Sequence, residues 1–398
     1  MTVEDKRNSE FSGAPPAERP LGILMVDSHA AVERGGAVQC ASLARALARR
    51  GHAVTCIFDG PPDQPMQGIW SASLRAAGVR LLRLGLKSPA GMARLRRILA
   101  AEQPDILHTH KNRALFFAYF ATLGMRRPIW TANRGTVYPL SHSLLAHRIH
   151  RRHVARMFAV SHAVRDALLD DGIAAEKVEV VYGSFDPERF HPEVSGATMR
   201  RRWEVSSRTP LVGLIGSLNT PKKGHSVLLE AAALLTDAYP ELRFVLIGEG
   251  DPRPLQATAA SLGIADRVIF AGFSEEVPAA LAALDVVVCA SLRGEGLTGA
   301  LREALAMARP VVSSDVAGNR ELIRDGRTGL LVPSGDPAAL AAAIRRMLND
   351  GQFARECAAS GRERVHELCT EDQRAIQIEK AYRDLLEARC AEVPACRA

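Results

Sequence analysis

Aromatic side chains are scarce. Phe, Trp and Tyr make up 5% of the 398 residues and are not interleaved with basic ones, which excludes the base-stacking surfaces of single-strand nucleic-acid readers. Cysteine is sparse as well. Its seven members (Cys40, Cys56, Cys289, Cys357, Cys369, Cys390, Cys396) are scattered, odd in number and without a CxxC pair. That pattern speaks against a zinc site or a disulfide framework and for free thiols in a reducing cytoplasm. No apolar run approaches the roughly 18–20 residues of a membrane span. Residues 1–20 are polar and lack an apolar signal core, so they read as a disordered leader and secretion is not expected. Gly35-Gly36, after the first strand, is not a GxGxxG fingerprint, which weakens a nicotinamide-dependent oxidoreductase. No Asp-x-Asp triplet occurs, so nothing suggests a divalent ion held on a diphosphate, and neither metal nor cofactor is expected.

What is present fits a soluble globular chain: 47% of residues are hydrophobic and 24% charged. The net charge of +7 suits anionic partners such as nucleotide phosphates, a lipid phosphate or an acidic membrane face, without requiring nucleic acid. Short apolar runs alternate with helical patterns: Leu21 to Val26, a helix over Val38 to Arg50, then Ala53 to Phe58, Val79 to Leu84, Ile106 to His108, Ile129 to Thr131, Met157 to Val160 and Val178 to Val181. Residues 191–210, with Pro192, Gly196 and Pro210, interrupt the alternation and read as a linker. It restarts at Leu211 to Ile215 and runs through Phe244 to Ile247, Val268 to Phe270, Val286 to Cys289 and Pro310 to Ser313. The expected fold class is α/β, with two Rossmann-like, doubly wound domains (21–190 and 211–370) facing a cleft. A last helix over 371–390, with apolar Ile376, Ile378, Ala381, Tyr382 and Leu385, is expected to cross back onto the first domain.

The most informative stretch is 290–312, ASLRGEGLTGALREALAMARPVV. Seven residues separate Glu295 from Glu303, and Gly294, Gly296 and Gly299 occupy the turn before a helix expected from Thr298. A helix start offers free N–H groups and the positive end of its dipole to a pyrophosphate, here from Leu297, Thr298 and Gly299. Glycines at 296 and 299 let a ligand approach the backbone. Glu303, a turn inside the helix, is placed to accept ribose hydroxyls, and Glu295, on the loop, to hold hydroxyls of a transferred sugar.

This stretch resembles the E-x7-E signature of the GT-B retaining glycosyltransferases of group 1, or family 4. The resemblance continues in Gly35-Gly36, Pro104 to His110, Ala159-Val160-Ser161, Lys223-Gly224, Gly248-Glu249-Gly250, Glu321-Leu322-Ile323 and Gly326 to Val332. It implies that Lys223 contacts donor phosphates and that Gly35 and Gly36 form a turn near the diphosphate and acceptor. The family arginine after the glycine of the first strand of the second domain is absent; Gly216-Ser217 stand there, leaving Lys222 or Arg134 to compensate. The loop that often carries a histidine reads Thr131-Ala132-Asn133-Arg134-Gly135, so Arg134 is the candidate to meet the sugar or a phosphate, and His110, ending its strand at the crevice, is a second. An Asn-Gly of the family is replaced by Gly183-Ser184.

The resemblance implies a hexosyl transfer from a nucleotide sugar to a glycan or lipid-linked acceptor, retaining and metal-independent, in cell-envelope polysaccharide or lipopolysaccharide synthesis. A nucleotide-sugar epimerase and a non-catalytic nucleotide-sugar-binding protein are the alternatives. Residues 140–156 mix His142, His147, His150 and His153 with Arg148, Arg151, Arg152 and Arg156 around Leu144, Leu145, Ile149 and Val154. Such a basic amphipathic helix suits peripheral attachment to the anionic inner face of the membrane; a solvated face beside the acceptor groove explains it equally well.

Overall fold

The computed structural model describes residues 19–32, 35–125, 128–140 and 144–392. Most of the expected leader, with His142 and Cys396, lies outside them. Arg19, expected within the leader, is instead bound by two hydrogen bonds of 2.7 and 2.9 Å to Asp105.

Two all-parallel sheets form the molecule. The first carries β1 (Gly22–Asp27), β2 (Ala53–Asp59), β3 (Arg80–Leu84), β4 (Ile106–His110), β5 (Ile129–Arg134), β6 (Arg156–Ala159) and β7 (Val178–Val180), in the order β3-β2-β1-β4-β5-β6-β7. The second carries β8 (Leu211–Ile215), β9 (Arg243–Ile247), β10 (Val268–Gly272), β11 (Val286–Cys289), β12 (Val311–Ser314) and β13 (Leu330–Val332), in the order β10-β9-β8-β11-β12-β13. Helices cover both faces, so the central strands are buried on both sides and read as continuous apolar runs such as Ile23 to Val26 and Val286 to Val288. In each sheet the winding reverses between two neighbours, β1 and β4 or β8 and β11. Strand ends at such a reversal open a crevice between outgoing loops.

The helix Glu371–Glu392 packs on the first domain, against the helix Gly35–Arg49. Ala375, Ile378, Ala381, Tyr382 and Leu386 enter one core with Ala37, Ala41, Ala44 and Phe58. Ile376, counted in the apolar stripe, instead stays 49% exposed, because it falls beside the row that meets the small alanines. The Tyr382 hydroxyl lies 2.6 Å from Nδ1 of buried His108. Buried Arg45 joins Asp186 (2.7 Å) and Glu371 (2.5 Å) where the chain leaves and re-enters this domain. The two crossing segments lie side by side, with Phe185 N–H donating to Cys369 O at 2.9 Å. The linker region 191–210 is not wholly irregular. It holds a helix, Ala197–Arg202, whose Met199 is buried.

Candidate functional site

The β8–β11 reversal assembles most of the residues singled out above. After β8, Gly216 leaves room for Lys223, whose Cγ would sit 3.3 Å from a Cβ built there. The turn Pro221–Lys223 is tied to the β11 loop by Leu292 N–H donating to Lys222 O, 2.7 Å. Gly224 has φ +75°, and a Cβ on it would lie 1.8 Å from Ala290 O, so only glycine allows the two loops this approach. Lys223 Nζ thereby reaches Glu295 Oε1 at 2.9 Å, with Lys222 Nζ at 3.9 Å. Glu295 is therefore held by a lysine, not free on its loop. His225 Nε2 lies 3.3 Å from Gly216 O, and burial brings its ring down to about 4, so it is neutral.

From β11 the chain turns through Gly294 (φ +79°) into Glu295, Gly296 and buried Leu297 and Thr298. The helix is Gly299–Ala306, shorter than the span expected to Ala308, with Thr298 at its N-cap. Its N-cap side chain makes no capping bond, the buried Thr298 hydroxyl has no partner, and Thr298 N–H donates to Asn319 Oδ1 at 3.3 Å. Uncapped N–H groups beside a lysine favour an anion. Half-buried Glu303 lies a turn further on; burial raises its carboxyl, against the pull of Arg302, Arg189 and Lys223. The Cys289 thiol, ending β11, is pushed up to about 12 by burial, offset by Lys223 and reinforced by Glu295 and Glu303. Lys223, Glu295 and Glu303 thus surround one strand end.

The first-domain candidates are spread out. Gly35 (φ +42°) and Gly36 begin the helix Gly35–Arg49, and a Cβ on Gly36 would stand 3.1 Å from His29 Cε1. His29 Nδ1 is 2.5 Å from Asp27 Oδ1, while the second oxygen of buried Asp27 has no partner. His110 does not line the crevice. It is 3% exposed, its Nε2 is unpartnered, and burial with His108, Arg374 and His29 nearby holds its pKa far below the usual range. Among the described residues, Asp27, Cys40 and His110 are the set whose ligand atoms, all within 4.8 Å of one another, match those that hold metals. Arg134 braces the following loop, donating to Asn112 Oδ1 (3.1 Å), Pro139 O (3.3 Å) and Tyr138 O.

The domains touch across the cleft. A Cβ on Gly296 would lie 2.6 Å from Gly135 O, and one on Gly294 would enter the Tyr138 ring. Glu321 of the second domain accepts the N–H groups of His162 (3.0 Å) and Ala163 (3.1 Å) and the Tyr182 hydroxyl (2.9 Å). It caps a first-domain helix, His162–Asp170. A cavity of about 280 Å³ lined by Leu218, Asn219, His225 and Asp251 adjoins the β8 end; a larger one of about 420 Å³, beside Gly196, Arg200 and Asp285, lies at the linker and away from these groups. Sequence reading missed Asp27, His29 and Tyr138, and named Glu321 only within a matching stretch, without a role. For Asp27 the signal was available, an acid closing a buried strand at a winding reversal; Tyr138 and Glu321 matter only through contacts across domains.

Two family models match the chain: Glycosyltransferase Family 4 over residues 34–189 and Glycosyl transferases group 1 over 209–350. A phosphatidyl-myo-inositol mannosyltransferase of Mycobacterium leprae is 29% identical over 334 residues, covering 81% of this chain and 86% of that one. An alpha-D-kanosaminyltransferase of Streptomyces kanamyceticus is 35% identical over 164 residues, 40% of this chain and 42% of its own. Among solved structures, Anabaena Alr3699/HepE with UDP and glucose superposes with a TM-score of 0.79 at 21% identity, over 91% of this chain and 99% of that one. The sucrose-phosphate synthase of Thermosynechococcus elongatus does so with a TM-score of 0.77 at 22% identity, over 92% and 100%. The two parallel-sheet domains, the crossing helix and these matches agree: the chain belongs to the group 1, family 4 glycosyltransferases of the GT-B fold.

Proposed function

We propose that the protein moves a sugar from a nucleoside diphosphate sugar to a glycan or lipid-linked acceptor, with retention and without a metal ion, in envelope polysaccharide or lipopolysaccharide synthesis. One observation carries this reading. Lys223, Glu295 and Glu303 surround the uncapped start of the helix Gly299–Ala306 at a winding reversal. The diphosphate sits on the N–H groups of Leu297 and Gly299, joined by that of Thr298 once it leaves Asn319 Oδ1, and Glu303 accepts the ribose hydroxyls. Glu295 exchanges part of its lysine contact for hydroxyls of the transferred sugar. The bond from the anomeric carbon to the diphosphate breaks as the acceptor oxygen bonds that carbon from the same face, and the acceptor proton passes to the departing phosphate oxygen. Lys223 and the helix start offset the charge that builds there. Closure of the two domains excludes water and aligns the acceptor. His110 and Arg134 shape the acceptor side, from beneath the crevice and from the loop after β5.

Two names support the choice of substrates: the Mycobacterium leprae relative is named for mannosyl transfer to a phosphatidyl-myo-inositol, and the Anabaena neighbour holds UDP and glucose. A thermal-shift panel of UDP, GDP and their sugars names the donor. Transfer is then run with EDTA and the product anomer read by NMR. No stabilisation by any nucleotide, or an epimerised nucleotide sugar made without acceptor, removes the reading; an inverted product removes retention.

Among the described residues no helix is long and apolar enough to cross a membrane. Leu144 is 89% exposed at the start of the basic helix Leu144–Arg152, which suits an anionic bilayer surface. Co-sedimentation with phosphatidylglycerol vesicles at low salt is expected, and its absence sinks peripheral attachment.

A further inference from the structure

Arg302, one position before Glu303, is 4% exposed, yet little in the protein uses it. Its side chain folds back along its own helix, and Nη1 donates to Leu297 O at 3.2 Å. Nη2 lies 3.8 Å from where a Cβ on Gly299 would be, so the guanidinium stands at the helix start itself. Across the cleft it meets bare Gly183, where a Cβ would lie 3.0 Å from Nη1 and 2.9 Å from Gln39 Oε1. Nε is buried without a partner. A guanidinium offers five N–H donors, and the bond to Leu297 is the one hydrogen bond it makes among the described residues. None of their carboxylates lies within ion-pair distance of it; Glu295 is occupied by Lys223. The strand end at Gly216, Ser217, Leu218 and Asn219 carries no basic side chain.

A buried, underused fork of donors at an anion-favouring helix start is a large desolvation cost unless a ligand completes it. Lys223 is paired with Glu295, whereas Arg302 has no carboxylate within ion-pair distance among the described residues. We infer that Arg302 is a donor-binding residue whose guanidinium, packed against side-chain-free Gly183, takes phosphate oxygens of the nucleoside diphosphate at the helix start. Its planar fork matches paired phosphate oxygens as a lysine does not. The inference rests on the nucleotide-sugar reading above.

The test compares the full-length protein with R302Q and R302K by calorimetric titration of inorganic pyrophosphate, UDP, UMP and uridine, with the guanosine series in parallel. R302Q is expected to weaken diphosphate and pyrophosphate by about 10- to 100-fold, with nucleoside affinity held within about twofold. R302K, which keeps the charge and loses the fork, is expected to fall between. A purely structural role for Arg302 weakens nucleoside and diphosphate alike, and that result, or undiminished diphosphate binding, overturns the assignment while leaving the donor reading intact. If R302Q does not fold, the same comparison on R302K decides. A wild-type protein that binds neither pyrophosphate nor any diphosphate overturns the donor reading, and this assignment with it.

Discussion

Glu303 is the residue whose burden shows most clearly. Burial raises its carboxyl above the ordinary 4.5, so the folded chain binds that proton more tightly than the unfolded one. Stability contributed by this group is therefore lost as pH rises above that ordinary value. Glu303→Gln removes the burden: Tm at pH 8 is expected to rise, by about 2–4 °C per kcal/mol relieved, while nucleotide-sugar affinity falls at least about tenfold. A drop in Tm at pH 8 contradicts this account. Lys223 and Glu295 form the second test at this scale. Lys223→Ala is expected to cost about 10²- to 10³-fold in kcat. Because the pair is in contact at 2.9 Å, the double variant with Glu295→Gln should lose less than the two single losses combined. A double-mutant cycle in kcat/KM reads the coupling, and simple additivity denies it. The sequence showed these three residues because their spacing and flanking glycines are local. It did not show that Arg302 folds back to the helix start, since rotamer and cross-cleft neighbours have no signature in the chain order.

Among elements, the strands were the most legible. β8 and β11 lie where the apolar runs predicted, because strands buried on both faces leave little room for polar residues. The helix Ala197–Arg202 was hidden by Pro192, Gly196 and Pro210 around it, and it forms because Met199 and Arg200 find partners in the second domain, Arg200 donating to Ala283 O at 2.9 Å. His108 gave no hint of its structural part, since its partner Tyr382 comes from the last helix. The helix that follows Gly224 carries a pH response. His225 titrates near 4 in the fold and near 6.5 in the unfolded chain, so the unfolded chain takes up the proton first. Stability is therefore expected to fall as pH drops from about 6.5 towards 4, and His225→Gln should flatten that part of a Tm-against-pH curve. Superimposable curves for the two proteins rule this out.

For the whole molecule, the decisive contacts join the halves. Glu321 holds three first-domain donors from the second domain, and Arg364 donates to its backbone oxygen at 3.2 Å. Glu321→Ala leaves the N–H groups of His162 and Ala163 without their acceptor, while Ser161 still caps Val164 N–H, a loss of about 1 kcal/mol, and frees the cleft. X-ray scattering should then report a larger radius of gyration without ligand, and kcat should fall more than donor affinity. An unchanged scattering profile argues that closure depends on other contacts. The sequence displayed both doubly wound halves but not their mutual fit, because residues such as Gly135, Gly296, Tyr138 and Glu321 acquire meaning only when two distant segments meet.

The paired crossing at Phe185 and Cys369 has a practical consequence. The chain enters and leaves the second half through adjacent gates, so that half is topologically a cassette carried on a scaffold that the last helix completes. Cutting at those gates and grafting the corresponding piece from a relative should exchange the activated sugar that is accepted while the receiving molecule stays the same. The fold is thereby suited to recombination wherever the contacts of Glu321, Gly294 and Gly296 across the cleft are kept.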